Sequence, residues 1–212
     1  VPGLQVGDFV LVNKHAYGLK FPGTNYLVSG LKYPQRNDVA VFIPPHTLCH
    51  TAATEARPDL SRLSIAESQL FLKKFSSLQE SRCTPGGIKF VKRVMGIPGD
   101  KVEIKGYQIW INGEQIDQKL LSSNQDENLL EETLDKQIHV VRTLGLSEYA
   151  QHSWVVPDGH YLAIGDNRDN SLDSRAWGYF SEEYLIGRAD YIWMHWASFS
   201  SFPTLDRNKK IR

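Results

Sequence analysis

Short apolar runs alternate with turn-forming residues along most of the chain. Runs rich in Val, Ile, Phe, Tyr and Trp, bounded by Gly, Pro, Asn or Asp, are typical of β-strands. The pattern predicts strands at Asp8–Asn13, Asp38–Ile43, Phe90–Gly96, Lys101–Ile104, Tyr107–Ile111, Glu114–Ile116, Trp154–Val156, His160–Ile164 and Ala189–Met194. Asn112 and Gly113, between two of these strands, are a strong signal for a tight hairpin. We therefore expect a mainly β fold.

Two stretches depart from this pattern. Residues 44–88 lack strand alternation, and within them Ser64–Phe75 has helical spacing, with Ser64 and Glu67 placed to form a capping box. Residues 117–140 are polar and charged, and they predict a marginal helix or a loop. The first stretch is therefore predicted to be partly helical.

Charge and length narrow the class of protein. The 212 residues contain 24 Lys plus Arg and 24 Asp plus Glu, so the formal net charge is zero. This balance gives no general electrostatic basis for binding nucleic acid or an anionic membrane. No run approaches the roughly 18 apolar residues of a membrane-spanning helix. Because the chain begins at Val1 and not at Met, we expect a fragment, which leaves room for targeting or anchoring segments upstream.

The densest group of polar residues is Gly165–Arg175, which directly follows an apolar strand. It contains three Asp, two Asn, two Arg and two Ser. Such residues hydrogen-bond to local backbone and can hold an irregular loop rigid. Composition alone favours a structured turn between strands, and a functional loop is the alternative.

A lysine interrupts an apolar strand at Lys92. Successive side chains on a strand face opposite sides, so Lys92 or its neighbour Arg93 points towards the apolar face. Burial disfavours the charged form of a lysine and lowers its pKa, and a neutral amine near pH 7 can act as a general base. The alternative is an edge-strand lysine whose ammonium reaches water.

Taken together, several segments resemble the bacterial type I signal peptidases, or leader peptidases, of the Gram-negative kind. That family has four motifs in chain order: Ser-Met-x-Pro-Thr-Leu-x-x-Gly-Asp, Arg-Gly-Asp-(Ile/Val)-Val-(Val)-Phe, Lys-Arg-x-x-Gly-x-Pro-Gly-Asp and Gly-Asp-Asn-Arg-Asn/Asp-Asn-Ser-x-Asp-Ser-Arg. The matching segments here are Val1–Asp8, Arg36–Phe42, Lys92–Asp100 and Gly165–Arg175, with further matches at His15–Lys20 and Leu185–Ala189. The resemblance covers both ends and the centre of the chain.

The departures from the family motifs are specific. The family's nucleophilic Ser and the Met that follows it would lie just ahead of Val1, so we expect the chain as given to be inactive. Gly3 replaces a Thr of the first motif, and Asn37 replaces a Gly and also tolerates a positive φ. Residues 44–88 far exceed the short connection of the family and are interpreted as an insertion.

The resemblance implies a signal-peptidase-like catalytic β core with a smaller β-rich subdomain and a partly helical insertion. We assign the core to residues 1–43, 89–104 and 154–200. The insertion is assigned to residues 44–88, and the smaller subdomain to residues 105–153.

The chemistry that the resemblance implies is a Ser–Lys dyad. Lys92 matches the general base, which takes the proton of the nucleophile and later protonates the leaving amine. Ser171 matches the serine that orients this lysine. Asp173 matches an acid that pairs with an arginine, for which Arg93 and Arg175 are candidates, and these three are interpreted as structural support. We expect no metal and no cofactor.

By the same resemblance the substrates are signal peptides of the Ala-x-Ala type, carried by exported preproteins. Leu4, Phe90 and Val91 match positions that line small apolar pockets, which exclude bulky side chains. The expected location is the inner membrane, with the catalytic region on the periplasmic side. The aromatic residues from Trp196 to Phe202 are candidates for contact with the membrane surface, and core packing is the alternative, which we also expect for Trp193.

The two cysteines, Cys49 and Cys83, flank the insertion. If the domain faces the periplasm, a disulfide between them is the first expectation. Unpaired thiols are the second, and zinc bound by these cysteines with His46 and His50 is the third, because that spacing is unusual for zinc.

The leading hypothesis is therefore a membrane-associated serine endopeptidase that removes signal peptides from exported preproteins. A signal peptidase specialised for a pilus or plasmid substrate is a close alternative. A non-catalytic periplasmic β module that binds extended peptides by strand addition is an alternative of a different class.

Overall fold

The computed structural model describes residues 3–20, 27–29, 32–45, 88–124, 127–144, 151–197 and 201–211. The strands, in chain order, are β1 (Asp8–Asn13), β2 (Leu19–Lys20), β3 (Leu27–Ser29), β4 (Val39–Phe42), β5 (Phe90–Gly96), β6 (Lys101–Lys105), β7 (Gln108–Ile111), β8 (Glu114–Gln115), β9 (Asp117–Ser123), β10 (Asn128–Leu134), β11 (Gln137–Thr143), β12 (His152–Val155), β13 (His160–Ile164), β14 (Phe180–Ser181), β15 (Leu185–His195) and β16 (Lys209–Lys210). The helices that lie wholly within these ranges are the α-helix α1 (Ser174–Trp177) and two 3-10 helices, Arg168–Asn170 and Glu182–Tyr184. The prediction of a mainly β fold is confirmed.

The largest sheet has seven strands in the order β1-β15-β4-β5-β13-β14, with β16 paired to β15. Its neighbouring strands are antiparallel. A second sheet has the order β12-β6-β7-β8, a third has the order β11-β10-β9, and β2 pairs with β3. Strand β5 therefore lies inside the largest sheet, with β4 on one side and β13 on the other.

The apolar core lies on both faces of β5 and β13. Met95, Leu162 and Ile164 belong to a buried cluster that also contains residues of β6 and β7. Val94 and Ala163, which alternate with them, belong to a second cluster with residues of β4 and β14. Each fully buried Val, Leu, Ile or Met side chain in these clusters contributes about 1.5–3 kcal/mol. This two-sided packing fixes the backbone of β5, which carries Lys92.

The predicted hairpin is present between β7 and β8. Asn112 has φ of 54° and Gly113 has φ of 87°, both in the left-handed region. A two-residue turn with two positive φ angles follows the natural twist of the strands that it joins, and Asn-Gly adopts it readily. The local sequence therefore determines this part of the second sheet.

The prediction of a marginal helix or loop over residues 117–140 is wrong, because this region forms the antiparallel strands β9, β10 and β11. Strand β9 is largely exposed, so its polar side chains do not alternate with buried ones. In β10 the buried position Glu132 is charged, and the arginine that pairs with it, Arg168, is 36 positions away. A pattern search that looks for apolar periodicity misses a sheet with these two properties.

The aromatic residues near the carboxyl end divide between two environments. Trp193 lies in β15, but its side chain is 42% exposed, so the expectation of core packing is wrong for this residue. Trp196 is half-buried and donates from Nε1 to the carbonyl of Ser201 at 2.9 Å. Phe202 is almost fully exposed.

Several expectations about organisation stay predictions. The Ser64–Phe75 helix lies outside the described residues, as does nearly all of the predicted insertion. The residue bounds of the core and of the smaller subdomain are likewise not decided by the sheet topology. Within the ranges that the structure describes, no helix combines the length and apolar character needed to cross a membrane.

Candidate active site

Lys92 lies on the same face of β5 as Phe90 and Val94, because alternate residues of a strand point the same way. Its Nζ lies 5.7 Å from the centre of the Phe90 ring. Val94 on this face is fully buried in the core cluster with β4 and β14. The lysine therefore projects from the edge of an apolar surface, one of the two arrangements that the sequence left open.

The Nζ of Lys92 donates a hydrogen bond to the Oγ of Ser171 at 2.7 Å. The two residues are 79 positions apart, and the loop after β13 brings them together. Gly165 begins this loop, and a Cβ at that position would lie 2.1 Å from the Oγ of Ser171 and 3.4 Å from the Nζ of Lys92. A glycine is therefore required at position 165, directly after β13, because a side chain there would collide with Ser171 and crowd Lys92.

Burial lowers the pKa of Lys92 below the ordinary value of a lysine. Asp173 and Asp166 act in the opposite direction, because a negative charge favours the ammonium, and Arg175 adds to the lowering. The net shift increases the neutral fraction of the amine near pH 7. A neutral amine has one lone pair and two N–H groups, so it can donate to Ser171 and still accept a proton.

Asp173 is fully buried and forms a two-point ion pair with Arg175. Its Oδ1 accepts from Nε and its Oδ2 from Nη2, each at 2.8 Å. Oδ2 also accepts from the backbone N–H of Gly165 at 3.0 Å, and Oδ1 caps α1 by accepting from the N–H of Arg175. Burial alone would raise the pKa of Asp173, but Arg175, the N–H of Gly165 and Lys92 together outweigh it, so the pKa lies below its usual range.

Arg93, the other candidate partner of Asp173, pairs with Asp166 instead. Its Nε and Nη2 donate to the two carboxylate oxygens of Asp166 at 2.9 and 2.8 Å. Its Nη1 donates to the Oδ1 of Asn37 at 2.7 Å and to the Asn37 carbonyl at 3.0 Å. Asn37 has φ of 75°. This is the left-handed conformation that a glycine would adopt readily and that asparagine also tolerates. The arginine thus fastens both the start of the loop and the turn before β4.

The three predicted pocket residues are not all on one side of the sheet. Phe90 shares the face of Lys92, whereas Val91 packs with Val41 and Ala189 in a separate apolar cluster on the opposite face. Leu4 is half-buried and follows Gly3, where an added Cβ would lie 3.6 Å from Asp166. The structure therefore brings Phe90 next to Lys92, and the pocket roles of all three residues stay predictions.

The predicted cysteine pair belongs to a part of the chain that the structure does not describe. Cys49 and Cys83, with His46 and His50, fall outside the described residues, so the disulfide and its alternatives stay predictions. Across the ranges that the structure describes, no group of three or more His, Cys, Asp or Glu side chains is arranged to hold a metal ion.

Pattern reasoning missed the partners of the loop. Asp166 was one polar residue among several in its segment, and Glu132 lay in a stretch interpreted as a helix or loop. Both act through arginines that are 73 and 36 positions away. The one available signal was Asn37, whose tolerance of a positive φ marked a constrained turn.

The fold and site together define a β-rich scaffold that presents a half-buried amine beside a hydroxyl. The family model described as "Signal peptidase, peptidase S26" matches residues 1–196. Signal peptidase I of Pseudomonas aeruginosa is 31% identical over 226 residues, covering 97% of this chain and 66% of that protein. Signal peptidase I of Haemophilus influenzae is 31% identical over 220 residues, covering 90% and 59%. The chain thus spans 66% or less of the length of these relatives.

A solved structure of a signal peptidase I from Enterococcus faecalis V583 can be superimposed with a TM-score of 0.38 and 22% sequence identity. The match covers 75% of this chain and 98% of the Enterococcus chain. That similarity is too low to carry the assignment, which depends on the sequence matches. On those matches, the chain belongs to the signal peptidase family, peptidase S26.

Proposed function

We propose that the complete protein is a serine endopeptidase that removes signal peptides from exported preproteins, with Lys92 as its general base. The observation that carries the proposal is the half-buried Lys92, with its lowered pKa and its 2.7 Å bond to Ser171, in a chain of this family. A serine hydroxyl is a weak nucleophile until an adjacent base removes its proton. A desolvated lysine supplies that base without a histidine.

The nucleophile in this proposal is the serine that the family motif places two residues before Val1. Gly3 lies beside Asp166 in the loop that also contains Ser171, which supports a position for that serine near Lys92. In the reaction, Lys92 takes the serine proton as the oxygen attacks the scissile carbonyl. The resulting ammonium then protonates the leaving amine, and water completes the hydrolysis of the acyl-enzyme.

The proposed substrates are preproteins with Ala-x-Ala before the cleavage site. Phe90 lies on the same face of β5 as Lys92, with its ring close to Nζ. This placement is consistent with a proposed apolar pocket for a small substrate side chain next to the reacting atoms. Leu4 and Val91 are included in the proposal by their place in the family motifs. A bulky side chain in a small pocket would collide with its walls, which gives specificity by exclusion.

The membrane surface is the second proposed partner, with the catalytic region on the periplasmic face of the inner membrane. Strands β1 and β15 expose an apolar strip formed by Phe9, Leu11 and Trp193, whose side chains are 41%, 53% and 42% exposed. Phe9 and Trp193 pack edge to face with ring centres 6.2 Å apart. Aromatic rings of this kind favour the interface between lipid and water, which supports a strip that lies against the bilayer.

The test is cleavage of a preprotein by the full-length protein. We expect a single cut after Ala-x-Ala, and we expect the same preprotein with Phe in place of the final Ala to resist cleavage. Binding of the preprotein without any cut would contradict the proposal and favour the peptide-binding β module. Cleavage by a protein in which the upstream serine is replaced by Ala would show that this serine is not the nucleophile. Ser171 would then be the candidate nucleophile.

A further inference from the structure

A buried carboxylate outside the proposed dyad contacts the loop that holds Ser171. Glu132 in β10 is 0% exposed. Its Oε2 accepts from Nη2 of Arg168 and from Nε2 of His139, the latter at 3.1 Å, and its Oε1 accepts from Nε2 of Gln118 at 2.5 Å. Burial raises the pKa of Glu132, but Arg168 and His139 outweigh it and lower the pKa to about 2. The carboxylate is therefore charged at neutral pH.

Arg168 connects this carboxylate to the ion pair beside Lys92. It lies in the 3-10 helix of the loop, and its carbonyl accepts from Nη2 of Arg175. Arg175 in turn holds Asp173, which accepts from the N–H of Gly165. Hydrogen bonds, joined through the covalent frame of Arg168, thus link Glu132 to Gly165, which lies beside Ser171 and Lys92.

The smaller sheets contact the same loop at two other points. Asp169 accepts from the hydroxyl of Tyr107 at 2.8 Å and from the N–H of Leu144 at 2.5 Å. The N–H of Arg142 donates to the carbonyl of Asp166 at 2.8 Å. The loop is therefore held from the turn before β7, from β10 and from the end of β11.

A buried ion pair is often no more stabilising than a well-packed apolar pair of similar size. Its hydrogen bonds are, however, directional and charge-assisted, so they fix the position of the groups that they join. An irregular loop that must hold a hydroxyl within hydrogen-bond distance of an amine gains from such contacts.

We propose that Glu132 is a positioning residue for the peptidase reaction, holding the Ser171 loop against Lys92 through its ion pair with Arg168. The inference rests on the proposed function for its catalytic consequence. It assigns to the three-stranded sheet β9–β11 the task of fixing the geometry of a site that lies on the seven-stranded sheet. Neither Glu132 nor Tyr107 touches the reacting atoms.

The test compares Glu132→Gln with Glu131→Gln in the 212-residue chain. Glu131 is the adjacent residue of β10, half-buried and on the opposite face, which makes it a matched control. NMR titration of the Lys92 amine and hydrogen exchange of the loop amides are measured, together with the melting temperature. We expect Glu132→Gln to raise the pKa of Lys92, because a loosened loop admits water, and to speed exchange at residues 168–171 about tenfold. Glu131→Gln should leave both unchanged.

In the full-length protein, Glu132→Gln should lower kcat about tenfold with little change in KM. Because Lys92 must be neutral to act as a base, a raised pKa moves the acid limb of the pH–rate profile to higher pH. A purely structural carboxylate would lower the melting temperature and leave this limb in place.

Tyr107→Phe is the second variant, and it decides the matter if Glu132→Gln does not fold. It keeps the ring and removes the hydroxyl that donates to Asp169, so the Lys92 pKa and the loop exchange should move in the same direction by a smaller amount. A lower melting temperature with wild-type Lys92 titration and loop exchange in the folded variants would overturn the inference. Failure of the unmodified full-length protein to cleave any preprotein would contradict the proposed function instead, because the titration and exchange need no turnover.

Discussion

The loop from Gly165 to Arg175 and the strip on β1 and β15 break the usual distribution of side chains in opposite ways. In the loop, the charged Arg168, Asp173 and Arg175 are buried. On the strip, the large apolar side chains of Phe9, Leu11 and Trp193 are exposed. Buried charge and exposed apolar surface both cost free energy unless something compensates.

The compensation differs between the two regions. Each buried charge of the loop has a directional partner, such as the paired oxygens of Asp173 on Arg175. The strip has no comparable set of directional bonds, and apolar attraction is roughly proportional to area and insensitive to orientation. Exact geometry suits a reaction, and loose attachment suits a fluid surface, so the contrast follows the two proposed tasks.

The largest expected effect comes from the lysine that the loop surrounds. Lys92→Ala in the full-length protein should lower kcat/KM by about 10³-fold or more, since it removes the general base. Lys92→Arg should not restore activity, because a guanidinium stays protonated. Cleavage assays measure both, with Lys89→Ala, an exposed neighbour ahead of β5, as the control. Near-normal cleavage by the Ala variant would remove Lys92 from the mechanism.

The next effect separates the two regions by stability. Asp173→Asn should lower the free energy of unfolding by about 3–5 kcal/mol, because it leaves Arg175 buried without its charge partner. Trp193→Ser on the strip should change it by about 1 kcal/mol or less, since that side chain is already partly in water. Urea denaturation of both variants gives the comparison. Equal losses would mean that the strip is part of the core.

A smaller effect on turnover is expected at Ser171. Ser171→Ala should reduce kcat about 10²-fold, which corresponds to roughly 2–3 kcal/mol of lost orientation, because the hydroxyl that accepts from Nζ of Lys92 is gone. KM should change little, since Ser171 contacts the base and not the peptide. Steady-state kinetics decide this, and a large rise in KM at constant kcat would place Ser171 in substrate binding.

The smallest effect concerns the strip. Replacing Phe9 or Trp193 singly by Ser should weaken binding to phospholipid vesicles about tenfold, a loss of roughly 1.4 kcal/mol. Cleavage of a soluble peptide should be unaffected, because the strip is separate from Lys92 in this account. Binding is measured by vesicle sedimentation. The half-buried Trp196 is kept as Trp in both variants, so that any loss of binding reports on the strip alone. Undiminished binding in both variants would show that the strip is not the membrane contact.

Much of the scaffold was predictable from local pattern. The strands at Asp8–Asn13 and Phe90–Gly96 have the predicted bounds, and the Asn112–Gly113 hairpin follows from turn geometry alone. Strands β9–β11 were not predictable in this way. Their polar residues are either exposed or paired with distant groups, and apolar periodicity reports neither condition.

The site was only partly accessible from sequence. Strand alternation required Lys92 or Arg93 to face apolar surroundings, and the family resemblance, not the pattern, joined Lys92 to Ser171. The pairing of Arg93 with Asp166 spans 73 positions and depends on the order of strands in the sheet. No local signal encodes such a contact, so the choice between Arg93 and Arg175 as the partner of Asp173 stayed open until the fold was known.

Lys92 is proposed to act as a base because its surroundings disfavour its charge. Direct titration of the Lys92 amine by NMR, with the lysine labelled at its terminal carbon and nitrogen, tests this most closely. We expect a pKa below that of an ordinary exposed lysine, and a kcat/KM that rises with pH as the same group loses its proton. A Lys92 pKa at or above the ordinary value, in a protein that still cleaves preproteins, would contradict the account.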